Sequence, residues 1–163
     1  HMDNPIKGLE ALLNILKKNG FLKLGLYSEL ARQDIIKARK YISSKKVQTN
    51  ENSIRNFRQK ISSGELNDLK SFQLYGDFFS LSEFRDLCFH VKEHRFTVNQ
   101  IQDIIRSNQL KFLGFQLRKS TKLIYEEYFP EDTKQINLKN WMEFEEKYPN
   151  TFSKMYQFWV SKN

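Results

Sequence analysis

The chain has 163 residues, of which 39% are hydrophobic and 14% aromatic, enough for one domain-sized core and too apolar for a disordered polymer. No apolar run approaches the roughly 20 residues of a membrane span, no signal peptide is visible, and the single cysteine, Cys88, allows no internal disulfide, so a reducing, cytoplasmic setting is expected. The net charge of +8 falls entirely within residues 1–64 and is densest at Lys37-Ala-Arg39-Lys40 and Lys45-Lys46, yet no aromatic lies between Lys37 and Lys40 to serve as a base-stacking platform.

The opening His1-Met2-Asp3-Asn4-Pro5 reads either as a remnant of a removed tag or as a loop entering a helix, with Asn4 as N-cap and Pro5 at the first helical position. Ile6, Leu9, Leu12, Leu13 and Leu16 recur at helical spacing and predict a helix over 5–18, ended by Asn19-Gly20. Phe21 to Leu26, interrupted only by Lys23, predicts a strand. Ser28 is expected to cap a helix to about Ser43, with Ala31, Ile35, Ala38 and Ile42 inward and a basic face outward. A polar loop over 44–52, a helix over 54–61 and a helical segment over 65–75 stopped by Gly76 follow.

Ser80-Leu-Ser-Glu83 and Thr97-Val-Asn-Gln100 both have capping-box spacing. The first predicts a helix through Leu87 or Phe89; the second predicts a helix ending at Asn108, followed by a strand over 110–117. Two helix-to-strand units imply a parallel or mixed sheet with helices packed on it. Beyond Arg118 the pattern predicts a helix over 120–128 before Pro130, then a second with the stripe Leu138, Trp141, Phe144 and Tyr148. Phe152, Met155, Tyr156 and Trp159 also fall at helical spacing and predict a short C-terminal helix. The aromatic stripes read as core, and Cys88, inside Leu87-Cys88-Phe89, reads as packing rather than as a nucleophile.

Three histidines and one cysteine provide no zinc spacing, and no Walker loop, nucleophile elbow or calcium-binding loop is present. Six scattered glycines build no phosphate cradle. Two polar constellations remain. Tyr27-Ser28-Glu29, with Arg32 one turn later, lies at the carboxyl end of the first strand, where open α/β sheets bind ligands. Ser28 and Glu29 have structural reasons to be at a helix start, whereas Tyr27 has none. The second is His90-Val-Lys-Glu93-His94-Arg95-Phe96-Thr97, in which a histidine suits general-base work and Arg95 suits an anionic group. The bland alternative is that Glu93 and Arg95 pair with each other or with helix ends, leaving His94 exposed.

Asp3-Asn-Pro before a leucine-rich helix, then Lys17-Lys-Asn-Gly-Phe-Leu-Lys-Leu-Gly-Leu-Tyr27, resembles the fourth helix and fifth strand of class I S-adenosylmethionine-dependent methyltransferases. Lys18 stands where that family's turn has proline, and His1 to Pro5 correspond to its histidine-containing loop. Leu26-Tyr-Ser-Glu-Leu-Ala-Arg32, His90 to Thr97, Leu113-Gly-Phe115 and Tyr156-Gln-Phe-Trp159 are similar to the C-terminal region of bacterial methyltransferases often fused to tetratricopeptide repeats.

The resemblance implies an α/β chain with a partial Rossmann-like sheet, a large helical insertion and a helical C-terminus. It divides the chain into core (1–42), helical lid (43–90), last helix-strand unit (91–117) and C-terminal helical extension (118–163). It further implies that the glycine loop for S-adenosylmethionine belongs to a missing N-terminal core of the same enzyme, and that this portion alone does not hold the cofactor. His90, Glu93, His94 and Arg95 are then expected at the chemistry, Tyr27, Ser28, Glu29 and Arg32 at an unidentified methyl acceptor, and His1 near the cofactor. The competing expectation is a non-catalytic basic helical module that docks nucleic acid or an acidic protein.

Overall fold

The computed structural model describes residues 2–90 and 92–162. In chain order the elements are α1 (Pro5–Ile15), β1 (Phe21–Ser28), α2 (Gln33–Ser44), α3 (Glu51–Ser62), α4 (Leu81–Phe89), β2 (Arg95–Phe96), α5 (Val98–Ser107), β3 (Leu110–Phe115), α6 (Lys119–Tyr128), α7 (Leu138–Lys147) and β4 (Tyr156–Lys162). Two short 3₁₀ stretches, Asn67–Leu74 and Gly76–Phe79, lie between α3 and α4. The chain is therefore α/β. It divides into two compact units, one made of His1–Ala31 with Lys92–Asn163 and the other of Arg32–Val91.

The first unit holds a four-stranded mixed sheet in the order β2-β1-β4-β3. β1 runs parallel to β2 and antiparallel to β4, and β3 also runs antiparallel to β4. β1 and β3 are thus parallel to each other with the last strand between them. The helices follow from local chemistry. Asn4 Oδ1 accepts the Ile6 and Lys7 amides, each at 3.1 Å, with Pro5 in the first turn. The Thr97–Gln100 capping box opens α5, with the Gln100 amide on Thr97 Oγ1 at 3.2 Å and the Thr97 amide on Gln100 Oε1 at 2.9 Å. α1 stops at Ile15, earlier than its apolar spacing predicts, and Lys162 Nζ from β4 donates to the Leu13 carbonyl at 2.6 Å and the Leu16 carbonyl at 3.2 Å. In the turn that follows, Asn19 takes φ 59°. A Cβ on Gly20 would come within 2.7 Å of the Lys17 carbonyl oxygen, so crowding selects glycine there.

One face of this sheet is covered. Leu9 and Leu13 of α1 and Val98, Ile101 and Ile105 of α5 pack in one cluster with Phe112, Phe158 and Val160 of the strands. Trp141 of α7 is fully buried, stacks on Tyr125 of α6 at 3.8 Å between ring centroids, and donates its indole N–H to the Gln135 carbonyl at 2.8 Å. Asp132 shapes the loop beneath it, accepting the Tyr125 hydroxyl at 2.6 Å and the Asn137 amide at 2.9 Å. On the opposite face Phe21 and Trp159 remain exposed.

The expected C-terminal helix is corrected to a strand. Tyr156, Phe158 and Val160 are buried in alternation along β4, and backbone pairing on both sides fixes that period. Trp159, an apolar side chain on the opposite face, hides the alternation in the sequence. The C-terminal portion is consequently not a purely helical extension.

In the second unit, Ile35 and Ala38 of α2, Ile54, Phe57 and Ile61 of α3, Phe72, and Phe84 and Cys88 of α4 form a separate core. Two sequence expectations change here. The helix predicted from Ser28 begins at Gln33 and packs with α4 and the first 3₁₀ stretch, so it belongs to this unit rather than to the sheet. Gly76 opens a second 3₁₀ stretch instead of stopping an α-helix. No helix among the described residues is long and apolar enough to cross a membrane.

Trp141→Ala removes the largest fully buried side chain of the chain. It should lower the stability of the sheet unit by about 3–5 kcal/mol, measured by urea denaturation followed by circular dichroism.

Candidate functional site at the carboxyl rim of the sheet

β2 is only two residues long, but it decides what meets at the rim. Its parallel pairing sets Tyr27 opposite Arg95 and Ser28 opposite Phe96, and the Glu29 amide donates to the Phe96 carbonyl at 2.8 Å. The two constellations found in the sequence are therefore joined through Tyr27, Ser28 and Glu29 on one side and Glu93, His94 and Arg95 on the other.

The guanidinium of Arg95 is shared between two carboxylates of the chain. Its Nε donates to Glu29 Oε2 at 2.8 Å, and its Nη1 lies 3.5 Å from Glu93 Oε1. The Glu93 side chain is 1% exposed, against 26% for Arg95 and 42% for Glu29. Arg95 thus serves the pairing alternative weighed in the sequence. His94 Nε2 lies 2.8 Å from the Met2 carbonyl oxygen. A carbonyl only accepts, so Nε2 carries a proton and Nδ1 is the nitrogen left for other chemistry. Lys92 pairs with Asp3, so residues 92–95 run along both the N-terminal loop and the end of β1.

The remaining expected residues fall elsewhere. Ser28 does not cap a helix. It ends β1, and its Oγ accepts the Ala31 amide at 2.9 Å within the turn that follows. His90, at the C-cap of α4, and Arg32, buried at the N-cap of α2, both belong to the second unit. His1 lies outside the described residues. The basic run on α2 is partly engaged within its own unit: Lys37 pairs with Asp34 at 3.6 Å, Arg39 donates to the Leu87 carbonyl at 3.0 Å, and Tyr41 stacks on Phe57. No group of three or more His, Cys, Asp or Glu residues capable of holding a metal ion occurs among the described residues.

The sequence did not single out Glu145. This carboxylate is 4% exposed and takes the Ser28 hydroxyl at 2.6 Å and the Tyr156 hydroxyl at 2.6 and 2.8 Å. It ties α7, β1 and β4 together directly beneath the rim. Burial pushes its carboxyl above the ordinary carboxylate range, and the Ser28 and Tyr156 donors only partly offset that. The Tyr156 hydroxyl is pushed up, first by burial and then by its bond to the carboxylate. A signal existed: Leu138, Trp141 and Glu145 share one helical face.

Ionised Glu145 is penalised by folding, so stability should fall as pH rises through the ordinary carboxylate range toward the raised value and then level off. Glu145→Gln should flatten that slope in melting curves between about pH 4 and 8. Glu145→Leu, which strands two buried hydroxyls, should cost about 1–3 kcal/mol by urea denaturation. Arg95→Met should destabilise through the buried Glu93 carboxylate, and Glu93→Gln with Arg95→Met should recover most of the loss in a double-mutant cycle.

The chain matches no protein-family model and no curated protein.

Proposed function

We propose that the chain supplies the acceptor-substrate side of an S-adenosylmethionine-dependent methyltransferase, on a partial, Rossmann-like class I sheet. The observation carrying this reading is the strand arrangement, in which β1 and β3 run parallel and β4 returns antiparallel between them. The resemblance in sequence makes β1 the fifth strand of such a sheet and puts β3 in its last helix-strand unit; β4, expected as a helix, joins the two. Further support comes from the rim, where β2 sets Arg95 beside Tyr27 and Glu29 at the carboxyl end of β1, the end at which open α/β sheets take ligands.

In this reading the cofactor's cradle lies outside these 163 residues. Gly8 lies in α1, Gly20 in the turn before β1, Gly25 and Gly114 within strands, and Gly64 and Gly76 in the other unit, so no glycine-rich loop follows a strand into a helix. S-adenosylmethionine would then be held by an N-terminal core of the same enzyme. The part left to this chain is positioning. In this reading the Glu29–Arg95–Glu93 pairs hold the rim in one geometry, Tyr27 offers a phenol at the strand end, and His94 Nδ1 takes a proton from the acceptor. A cytoplasmic setting fits the single cysteine. The reading as a basic module for nucleic acid or an acidic partner is weaker, because Lys37 and Arg39 already have partners in their own unit.

The test is to express the coding sequence with its upstream extension and measure binding of radiolabelled S-adenosylmethionine. The longer product should bind and the 163-residue chain should not. In the longer product, Tyr27→Phe and His94→Asn should lower methyl transfer about tenfold or more while leaving cofactor binding unchanged. An upstream region lacking a glycine-rich strand–loop–helix segment, or a longer product that fails to bind, counts against the reading.

A further inference from the structure

A cleft in the sheet unit lies where β3 ends and α6 begins. There the Gln116 amide donates to the Gln157 carbonyl at 2.7 Å and continues the β3–β4 ladder past its last paired residues. The cleft has a volume of about 550 Å³, the size of a small-molecule site. Leu117, Ile124, Phe144 and Met155 give it an apolar lining, and Arg118 and Lys154 add two cations. No Asp or Glu is among its lining residues.

In this unit Lys92, Arg95 and Arg106 are matched to Asp3, Glu29 and Asp103. The side chains of Arg118 and Lys154 have no ion-pair or hydrogen-bond partner among the described residues. A solitary surface cation is ordinary, but two on one apolar-lined, acid-free cleft leave a positive field over a surface that also favours removing carbon from water. Tyr148 also lines the cleft and donates its hydroxyl to Tyr128 at 3.2 Å.

We propose that this cleft binds a small organic anion, a molecule with one carboxylate, sulfonate or phosphate group on an aromatic or aliphatic body. Arg118 and Lys154 take the charged group, while Phe144, Ile124 and Met155 take the body. The site does not depend on methyl transfer.

The probe is 8-anilinonaphthalene-1-sulfonate, titrated by fluorescence against the folded 163-residue chain, with N-phenyl-1-naphthylamine as the same body without its charge. Arg118→Glu with Lys154→Glu should weaken the sulfonate about tenfold or more and leave the neutral amine within about twofold. Lys7→Glu with Lys139→Glu, an equal change of net charge in the first turns of α1 and α7, should change neither. Thr121→Trp, which fills the cleft, should weaken both probes. Backbone amide shifts on adding the sulfonate should fall on residues 116–121 and 150–157. The proposal is overturned if the Arg118/Lys154 reversal has no effect or if the Lys7/Lys139 reversal matches it. It is equally overturned if the neutral amine binds the unaltered chain as tightly as the sulfonate, or if the shifts fall elsewhere.

Discussion

The sheet unit is held together by the two-sided pairing of β4. β1 and β3 do not touch each other, and each reaches the other only through Tyr156–Lys162, which bonds to β1 along one edge and β3 along the other. The same strand contributes more than its ladder. Lys162 closes the carboxyl end of α1, Tyr156 anchors Glu145, and Phe158 and Val160 lie at the centre of the core. A parallel pair alone is a slightly weaker ladder than an antiparallel one. Inserting an antiparallel strand between two parallel ones gives both of them the stronger geometry and brings their carboxyl ends to a common rim.

Polar groups at that rim fall into two kinds. Beneath it, Ser28, Glu145 and Tyr156 form a closed set in which every hydroxyl has an acceptor, so the cost of burying a carboxylate is partly returned as hydrogen bonds and a fixed arrangement of α7 against β1 and β4. At the surface, Arg95 spends its charge on Glu29 and Glu93. Because Glu93 is almost wholly shielded while Glu29 is half open, the Glu93 contact is the less screened of the two, although its geometry is looser. The cleft at the end of β3 differs, since Arg118 and Lys154 line it and no acid does.

How much of this could be read in the residues depended on whether local chemistry or tertiary context set each feature. The Asn4-Pro5 start of α1 and the capping box of α5 are written in adjacent residues, and they form as expected. β1 and β3 were legible as short apolar runs following helices. β4 was not, because Phe152, Met155, Tyr156 and Trp159 fit a helical stripe as well as Tyr156, Phe158 and Val160 fit a strand, and only partners on both sides choose between them. β2 has two residues and no pattern of its own; it exists because β1 offers it an edge. Among the polar groups, the Tyr27–Glu29 and Glu93–Arg95 clusters stood out by composition. Glu145 sits in a run of charged residues that reads as solvated, and its burial is decided by hydroxyls more than a hundred residues away for Ser28 and only eleven for Tyr156.

The position of β4 in the chain bears on how the protein assembles during synthesis. Residues 32–90 are contiguous and carry a core of their own, so that core can form as soon as they are made. β1 leaves the ribosome before them with its antiparallel partner still untranslated, and its apolar face must wait until residues 156–162 emerge. A nascent β1 is therefore an exposed strand edge for most of translation, and chaperone engagement or slow translation just ahead of β4 would govern the yield of folded protein more than any change inside the helical unit.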